Sequence, residues 1–427
     1  MHARTAGNRN PGRGGGRDRR VGVLRSRRVL AGTGVLLTCA LATAACSSVT
    51  PSAAASTSVG AGSTSGSPSA SAPQSSAPGS ASASASGTAT GGLSPLQLAG
   101  QRVIYSYTGT TPPSSLLQLI REGEVAGVIF FAGNITSETQ LASVTRELDA
   151  AQQQSPVHLP LLLMTDQEGG EVRRIQGGQP SLSERSIGQA GNPTQAAAQA
   201  GTGAAQTLGA GGLNVNLAPV LDVFAVPGNF IDQFGRSYSN DPSVVGAAGA
   251  AFITAQQNGG VAATAKHFPG LGTASTNEDT DNVPVTLNEP LSQLHDVDEQ
   301  PYKAAISAGV DLIMVSWAVY PALDANRPAG LSSAVVQGEL RDRLGYTGVT
   351  ITDALEAGAL KAFGTPGQRA VDAASVGMDL LLCSSGSVSQ GEQATQALAA
   401  ALQGGQLTNS SFQAAVSRVN ALRQKLN

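Results

Sequence analysis

The sequence predicts an α/β protein built as a single (β/α)8 TIM-type barrel with C-terminal helices, occupying residues 93–427. The length of this part fits a single barrel, which commonly has roughly 200 to over 400 residues. Short apolar runs bounded by Gly, Pro or Asn alternate with longer Ala- and Gln-rich segments, as in repeated βα units. Polar and charged residues also cluster directly after several apolar runs, where barrel enzymes place their catalytic groups.

The apolar runs number eight, which is the strand count of such a barrel. Helices are predicted between them, for example over residues 138–153, 194–208 and 333–344. In chain order the strands are predicted at residues 103–105, 127–131, 161–164, 214–217, 262–265, 312–315, 349–351 and 380–382.

Residues 1–46 are predicted to be a signal peptide. Nine arginines and one acid precede position 29, and an apolar run follows that is shorter than the about 20 residues of a membrane-spanning helix. Ala44-Ala45-Cys46-Ser47 resembles the lipobox of bacterial lipoproteins, in which the cysteine is acylated. Thr43 stands where leucine is usual, so ordinary signal cleavage is the alternative. We expect an exported protein, lipidated at Cys46 and anchored to the outer face of the cytoplasmic membrane.

Residues 47–92 are almost wholly Ser, Ala, Gly, Thr and Pro, without charge or aromatic side chains. Such a composition cannot bury a core and is typical of a disordered, flexible linker. The formal net charge of the chain is −3, and the residues before position 29 contribute +8 to it. The rest of the chain therefore carries a net charge of about −11. An acidic domain lacks the positive surface that phosphate neutralisation requires, so no nucleic-acid partner is expected.

Of three cysteines only Cys383 falls within the predicted barrel, inside an apolar run. We interpret it as a small buried hydrophobe and expect no intrachain disulfide there. The four histidines are scattered without metal-ligand spacing. No metal and no cofactor are expected.

Three strand ends carry the chemistry. The third strand runs into residues 165–170, the fifth into Lys266-His267 and the seventh into Thr352-Asp353. Asp353 by itself could be only the N-cap of the next helix. A Lys-His pair leaving a buried strand, however, is costly to desolvate unless it contacts a partner or ligand. Carboxylates and cations around one barrel mouth predict a site for a polyhydroxylated ligand.

At these residues the sequence resembles glycoside hydrolase family three, in its single-domain β-N-acetylhexosaminidase branch. The resemblance covers roughly residues 93–382. Its motifs, in this order, are DQEGGEVRR at 166–174, AKHFPG at 265–270, YPALD at 320–324, PAGLS at 328–332 and GVTITDALE at 348–356.

The resemblance implies that Asp353 is the nucleophile of a retaining mechanism. It also implies that five other residues bind the hydroxyls of the substrate sugar, and these are Asp166, Arg174, Arg236, Lys266 and His267. Asp353 would form a glycosyl-enzyme, while a second group protonates the leaving oxygen and later activates water.

The sequence departs from the family at that second group. The family's mobile loop carries Asp-Ser-His, whose histidine is the acid/base, whereas this chain has Asp279-Thr280-Asp281. Aligning the two places Asp281 at the histidine. A carboxylic acid can transfer the same proton if its pKa is raised by burial or by a neighbouring carboxylate, so Asp281 is the predicted acid/base. The alternative is a solvated acidic turn.

These residues predict a retaining exo-β-glycosidase resembling β-N-acetylglucosaminidases, with cell-wall saccharides as substrates. A second interpretation is a degenerate, catalytically weak surface lipoprotein that binds sugar. The two differ at residues 273–284, where an enzyme needs a proton donor and a binding protein does not.

Overall fold

The computed structural model describes residues 92–426. The predicted signal peptide, Cys46 and all of the predicted linker except Gly92 lie outside these residues. Across the described part of the chain, every helix is too short or too polar to cross a membrane.

The described residues form a closed barrel of eight parallel strands, in which each strand pairs with its neighbours in chain order. The predicted fold class is confirmed. The barrel strands are β1 (Val103–Tyr105), β2 (Gly127–Ile129), β3 (Leu162–Thr165), β4 (Val215–Asn216), β5 (Ala262–Phe268), β6 (Leu312–Val315), β7 (Val349–Ala354) and β8 (Leu380–Leu382).

Two strands run further than the sequence predicts. β5 continues because Phe268 pairs with Val315, and β7 continues because Ala354 pairs with Leu382; each pairing follows a register shift. Lys266, His267 and Asp353 therefore lie within strands and not in the loops after them. Strand residues are held more firmly than loop residues, which suits groups that must keep a fixed geometry.

Helices lie between and after the strands. Several begin where expected from capping residues, because the side chains of Ser137, Asn192, Asp241, Thr365 and Thr408 accept a backbone N–H in the first turn. The helix predicted over residues 333–344 has π-helical geometry. The α-helices are Pro95–Gly100, Ser114–Glu122, Glu138–Gln152, Glu184–Gly188, Pro193–Ala210, Pro242–Asn258, Leu291–Gln293, Gln300–Ser307, Pro366–Ser375, Val388–Gln403 and Asn409–Lys425, with π-helical turns at Leu294–Asp298 and Ala334–Arg343.

The C-terminal helix Asn409–Lys425 closes one end of the barrel. Its Val419 and Leu422 pack with the apolar side chains that fill the barrel interior. Arg423, from the same helix, donates hydrogen bonds to the carbonyl oxygens of Leu159 and Pro160, just before β3. The helix therefore covers the N-terminal ends of the strands. The opposite end stays open, and it is the end where barrel enzymes carry their sites.

Candidate active site

A cavity of about 470 Å³ lies at the C-terminal ends of the strands. All seven residues predicted to bind substrate or take part in catalysis line it, although they are spread over nearly 190 positions of sequence. These are Asp166, Arg174, Arg236, Lys266, His267, Asp281 and Asp353.

On one side of the cavity every carboxylate has a cationic partner. The Lys266 ammonium lies 2.8 Å from Asp166 and 2.7 Å from Glu168. Arg236 donates two hydrogen bonds of 2.9 Å, one to each oxygen of Glu168. Arg174 lies 3.8 Å from the second oxygen of Asp166. We call these five residues the paired group.

Burial and ion pairing together fix the charge states within the paired group. The side chains of Lys266 and Glu168 are each only 2% exposed. Burial alone would raise the pKa of Glu168, but the charges of Arg236 and Lys266 outweigh it and hold that pKa at about 2. Burial opposes the charge on Lys266 as well, yet Asp166 and Glu168 raise its pKa. Glu168, Arg236 and Lys266 therefore stay charged, with donors and acceptors fixed before a ligand binds.

A buried aspartate from the segment after β4 holds His267. Asp222 is fully buried, and its Oδ2 lies 2.7 Å from Nδ1 of His267. Its Oδ1 accepts the backbone N–H groups of His267 at 3.2 Å and Leu271 at 2.7 Å. A carboxylate beside Nδ1 favours the tautomer with a proton on that nitrogen. Nε2 is then left as the hydrogen-bond acceptor.

Four further carboxylates line the cavity, and we call them the unpaired group: Asp279, Asp281, Asp353 and Glu356. Within residues 92–426, none of the four has a lysine, arginine or histidine nitrogen inside 4.0 Å. The cavity lining thus combines a group of ion pairs with a group of carboxylates that lack a cationic partner among the described residues.

The loop that carries Asp281 is docked onto the segment after β7. The backbone N–H of Gly358 donates to the carbonyl oxygen of Asp281 at 2.7 Å, and that of Ala359 donates to Thr280 at 3.0 Å. A side chain at position 358 would meet the carbonyl oxygen of Asn282 at 2.0 Å, so this approach requires glycine. The docking brings Asp281 towards β7, the strand that contains Asp353.

Asp281 has the electrostatics of a proton donor. The charge of Asp353 is the largest cause, followed by burial and the charge of Asp279, and together they raise the pKa of Asp281 to about 7. Asp281 lines the cavity and is exposed to solvent, which fits a neighbouring charge having more effect than burial. The role of Asp281 as the acid/base stays a prediction.

Three phenylalanines line the cavity, and two of them, Phe230 and Phe234, contact each other. The rings of Phe230 and Phe234 meet edge to face, with centroids 6.4 Å apart. Phe234 is 41% exposed, which is unusual for a large apolar side chain. An exposed aromatic ring can pack against the apolar C–H face of a sugar.

The sequence-based analysis missed the parts played by Glu168 and Glu356, which line the cavity, and by Asp222, which holds His267. Glu168 lies inside a quoted motif, but nothing in the sequence shows that Lys266 and Arg236 converge on it. Asp222 follows the apolar run after β4 and is the one of the three that its position after a strand could have indicated. Glu356 lies one turn beyond Asp353, and its cavity-facing position depends on the bend after β7.

Outside the cavity, His295, Glu299 and Glu339 bring three possible metal-ligating atoms within 4.8 Å of one another. Arg343 contacts both carboxylates. The cluster therefore already holds a cation of its own, and we interpret it as an ion-pair network.

Comparison with known proteins agrees with the barrel and its motifs. Residues 101–422 match the glycosyl hydrolase family 3 N terminal domain. An uncharacterized secreted glycosyl hydrolase of Arthroderma benhamiae is 50% identical over 331 residues, which are 77% of this chain and 93% of the relative.

Solved structures give the same picture. A glycoside hydrolase family 3 beta-N-acetylglucosaminidase of Paenibacillus sp. superposes with a TM-score of 0.74 and 35% identity, covering 78% of this chain and 63% of that one. Beta-N-acetylhexosaminidase of Beutenbergia cavernae superposes with a TM-score of 0.72 and 31% identity, covering 78% of this chain and 99% of that one. This chain thus spans less than two thirds of the Paenibacillus protein and nearly all of the Beutenbergia protein.

Proposed function

Since the chain belongs to glycosyl hydrolase family 3, we propose that this glycoside hydrolase is a retaining exo-β-glycosidase that removes N-acetylglucosaminyl or related residues from cell-wall saccharides. The observation that carries the proposal is that Asp353 and Asp281 line one cavity, where the charge of Asp353 is the first of the causes that raise the pKa of Asp281 to about 7. A retaining glycosidase needs two such carboxyl groups, one to attack and one to donate a proton.

Asp353 is the nucleophile in this proposal. Its Oδ1 accepts the backbone N–H of Ala354 at 2.7 Å, which orients the carboxylate and leaves the other oxygen to attack the anomeric carbon. Attack breaks the glycosidic bond and forms a glycosyl-enzyme. As an acceptor-only group on a barrel strand, Asp353 is held at a fixed place relative to the sugar.

Asp281 first donates its proton to the leaving oxygen. When the glycosyl-enzyme forms, Asp353 loses its charge, and the main cause of the raised pKa of Asp281 disappears. The Asp281 pKa then falls, so the same carboxylate can take a proton from the water that releases the sugar. One acidic pair thereby serves both steps without the histidine of related enzymes.

The paired group and His267 bind the sugar in this proposal. Asp166 and Glu168 offer acceptors to hydroxyl groups, Arg174 and Arg236 offer donors, and Nε2 of His267 offers one more acceptor. Because the ion pairs already fix these groups, binding requires little reordering of side chains. The apolar face of the sugar packs on Phe234.

A panel of aryl β-glycosides tests the function. We expect release of aryl alcohol from at least one β-N-acetylhexosaminide or related glycoside, with the β-anomer of the sugar appearing first by NMR. Asp353→Ala should lower the rate to below a few per cent, whereas Asp342→Ala, at an exposed position outside the cavity, should not. No hydrolysis of any member would favour the sugar-binding interpretation, and the α-anomer appearing first would exclude retention.

We further propose that the protein is exported and held on the outer face of the cytoplasmic membrane by a lipid on Cys46, with residues 47–92 as a tether. The basic and apolar segments before Cys46 support this, and the Arthroderma relative is named as secreted. The wild-type protein should partition with membranes and the Cys46→Ala variant should not. A soluble, unmodified wild-type protein would contradict the anchor.

A further inference from the structure

Glu356 is a cavity carboxylate to which the proposed mechanism assigns no part. Its Oε1 accepts the hydroxyl of Ser384 at 2.6 Å, and its Oε2 accepts the backbone N–H of Ser384 at 3.2 Å and the amide of Gln390 at 2.8 Å. All three neighbours donate, so Glu356 accepts at both oxygens, as an ionised carboxylate does. It is anchored as a negative charge and is not arranged to give up a proton.

Glu356 lies in the segment that holds the Asp281 loop. Asp353 precedes it by three residues, and Gly358 and Ala359, which hold the Asp281 loop, follow it. The charge of Glu356 is also one of the causes that raise the pKa of Asp281. If Asp281 protonates the leaving oxygen, as proposed above, Glu356 is near the part of the substrate attached to that oxygen.

The donors that anchor Glu356 are neutral, so its charge is not cancelled. Among the described residues, Arg369 is near enough for the charge of Glu356 to raise its pKa. Its Nη1, however, donates to the carbonyl oxygen of Leu355 and not to Glu356. A half-buried carboxylate without a counter-charge disfavours an anionic neighbour and favours a cationic one. A sugar can supply that cation as an ammonium group, where an amino sugar lacks its acetyl group.

We propose that Glu356 determines leaving-group specificity, by binding the free ammonium of a deacetylated amino sugar in the leaving-group position. The proposal rests on the proposed glycosidase function. In that function the paired group binds the N-acetylated sugar whose glycosidic bond is cleaved. The sugar attached to the leaving oxygen carries the positive charge. The preferred substrates are then partly deacetylated amino-sugar polymers.

A matched pair of disaccharides tests this with the full-length protein. Both have N-acetylglucosamine as the non-reducing residue in a β-1,4 linkage, and the reducing residue is N-acetylglucosamine in one and glucosamine in the other. We expect kcat/KM to be roughly tenfold higher for the glucosamine form at low salt, and the ratio to shrink as salt is added. Glu356→Gln should bring the ratio close to one, while Glu147→Gln, on the exposed face of the helix Glu138–Gln152, should keep the wild-type ratio.

The outcomes separate the two proposals. If neither disaccharide nor any aryl glycoside is cleaved, the proposed function itself fails. If both disaccharides are cleaved with equal kcat/KM, or the acetylated one is preferred, the glycosidase stands and the role of Glu356 is refuted. A preference that survives in Glu356→Gln would likewise refute it. Because the readout is a ratio within each variant, a general loss of activity does not disturb the result, and a thermal melt shows whether the variant is folded.

Discussion

The paired and unpaired groups line the same cavity and differ in how their charges are balanced. In the paired group, two carboxylates contact three cations, and the pKa of Glu168 is held at about 2. In the unpaired group, four carboxylates have no cation inside 4.0 Å among the described residues, and the pKa of Asp281 rises to about 7.

The difference shows how one acidic residue type can serve two purposes. A carboxylate with cationic partners stays ionised and acts as a fixed hydrogen-bond acceptor, which is what binding a sugar requires. Crowded carboxylates repel one another until one keeps a proton near neutral pH, which is what proton transfer requires. Substitutions on the two sides should therefore have different consequences: loss of stability on the paired side, and loss of a chemical step on the unpaired side.

The largest expected effect is on the unpaired side. Asp281→Ala should slow cleavage of a natural disaccharide by about 10²–10⁴-fold, because general acid catalysis contributes about that much. Glycosyl-enzyme formation from a dinitrophenyl glycoside should be spared, since that leaving group needs little protonation. Pre-steady-state release of dinitrophenol measures the rate of glycosyl-enzyme formation. Equal losses on both substrates, or none on either, would show that Asp281 is not the acid.

On the paired side the expected effect is on folding. Lys266→Met should lower the free energy of unfolding by about 1.5–3 kcal/mol, because it removes the one cation that contacts both Asp166 and the buried Glu168. Urea denaturation followed by circular dichroism measures it. The matched variant on the opposite side, Asp281→Asn, should cost no stability, because it removes one of several repelling charges. Comparable losses in the two variants would remove the distinction between the groups.

The sequence predicted the barrel well because its signals are local. Each strand is a short apolar run between turn residues, and strands 103–105, 312–315 and 380–382 have the predicted bounds. β5 and β7 were predicted too short, because their last residues are polar and only pairing with the neighbouring strand keeps them extended.

The cavity was predicted less completely, for a different reason. Residues such as Asp166, Lys266 and Asp353 were found because they end strands that must meet at one mouth. Their partners are fixed by contacts between distant segments: Glu168 with Arg236 across 68 positions, and Asp222 with His267 across 45. No periodicity or turn signal encodes such pairs. The docking of residues 280–281 on 358–359, which gives Asp281 its charged neighbours, is equally invisible in the sequence.

Asp222 stands outside both groups and tests whether His267 depends on a fixed tautomer. In Asp222→Asn, the amide oxygen can still accept the N–H groups of His267 and Leu271, but the amide nitrogen now donates to Nδ1. The proton of His267 should move to Nε2, and kcat/KM should fall by about 10–100-fold, as when a supporting partner of a functional histidine is lost. ¹⁵N NMR of the imidazole should report the tautomer change directly. A rate loss with an unchanged tautomer would mean that Asp222 only supports the turn.

The smallest expected effect is the influence of the Asp279 charge on the pKa of Asp281 within the unpaired group. Asp281 must be protonated to cleave the substrate, so kcat/KM should fall as the pH rises through about 7. Asp279→Asn removes a charge that raises the Asp281 pKa, so that pKa should fall and the alkaline limb should move to lower pH. The shift should be under about one pH unit, because Asp353 and burial have larger effects than Asp279. The loop should survive the change, since the asparagine oxygen can still accept the backbone N–H of Asp281, as Asp279 does at 2.9 Å. Asp342→Asn serves as the control, because its charge lies outside the cavity and should leave the limb in place. A limb that stays fixed or moves to higher pH in Asp279→Asn would mean that crowding by Asp279 does not set the proton affinity of Asp281.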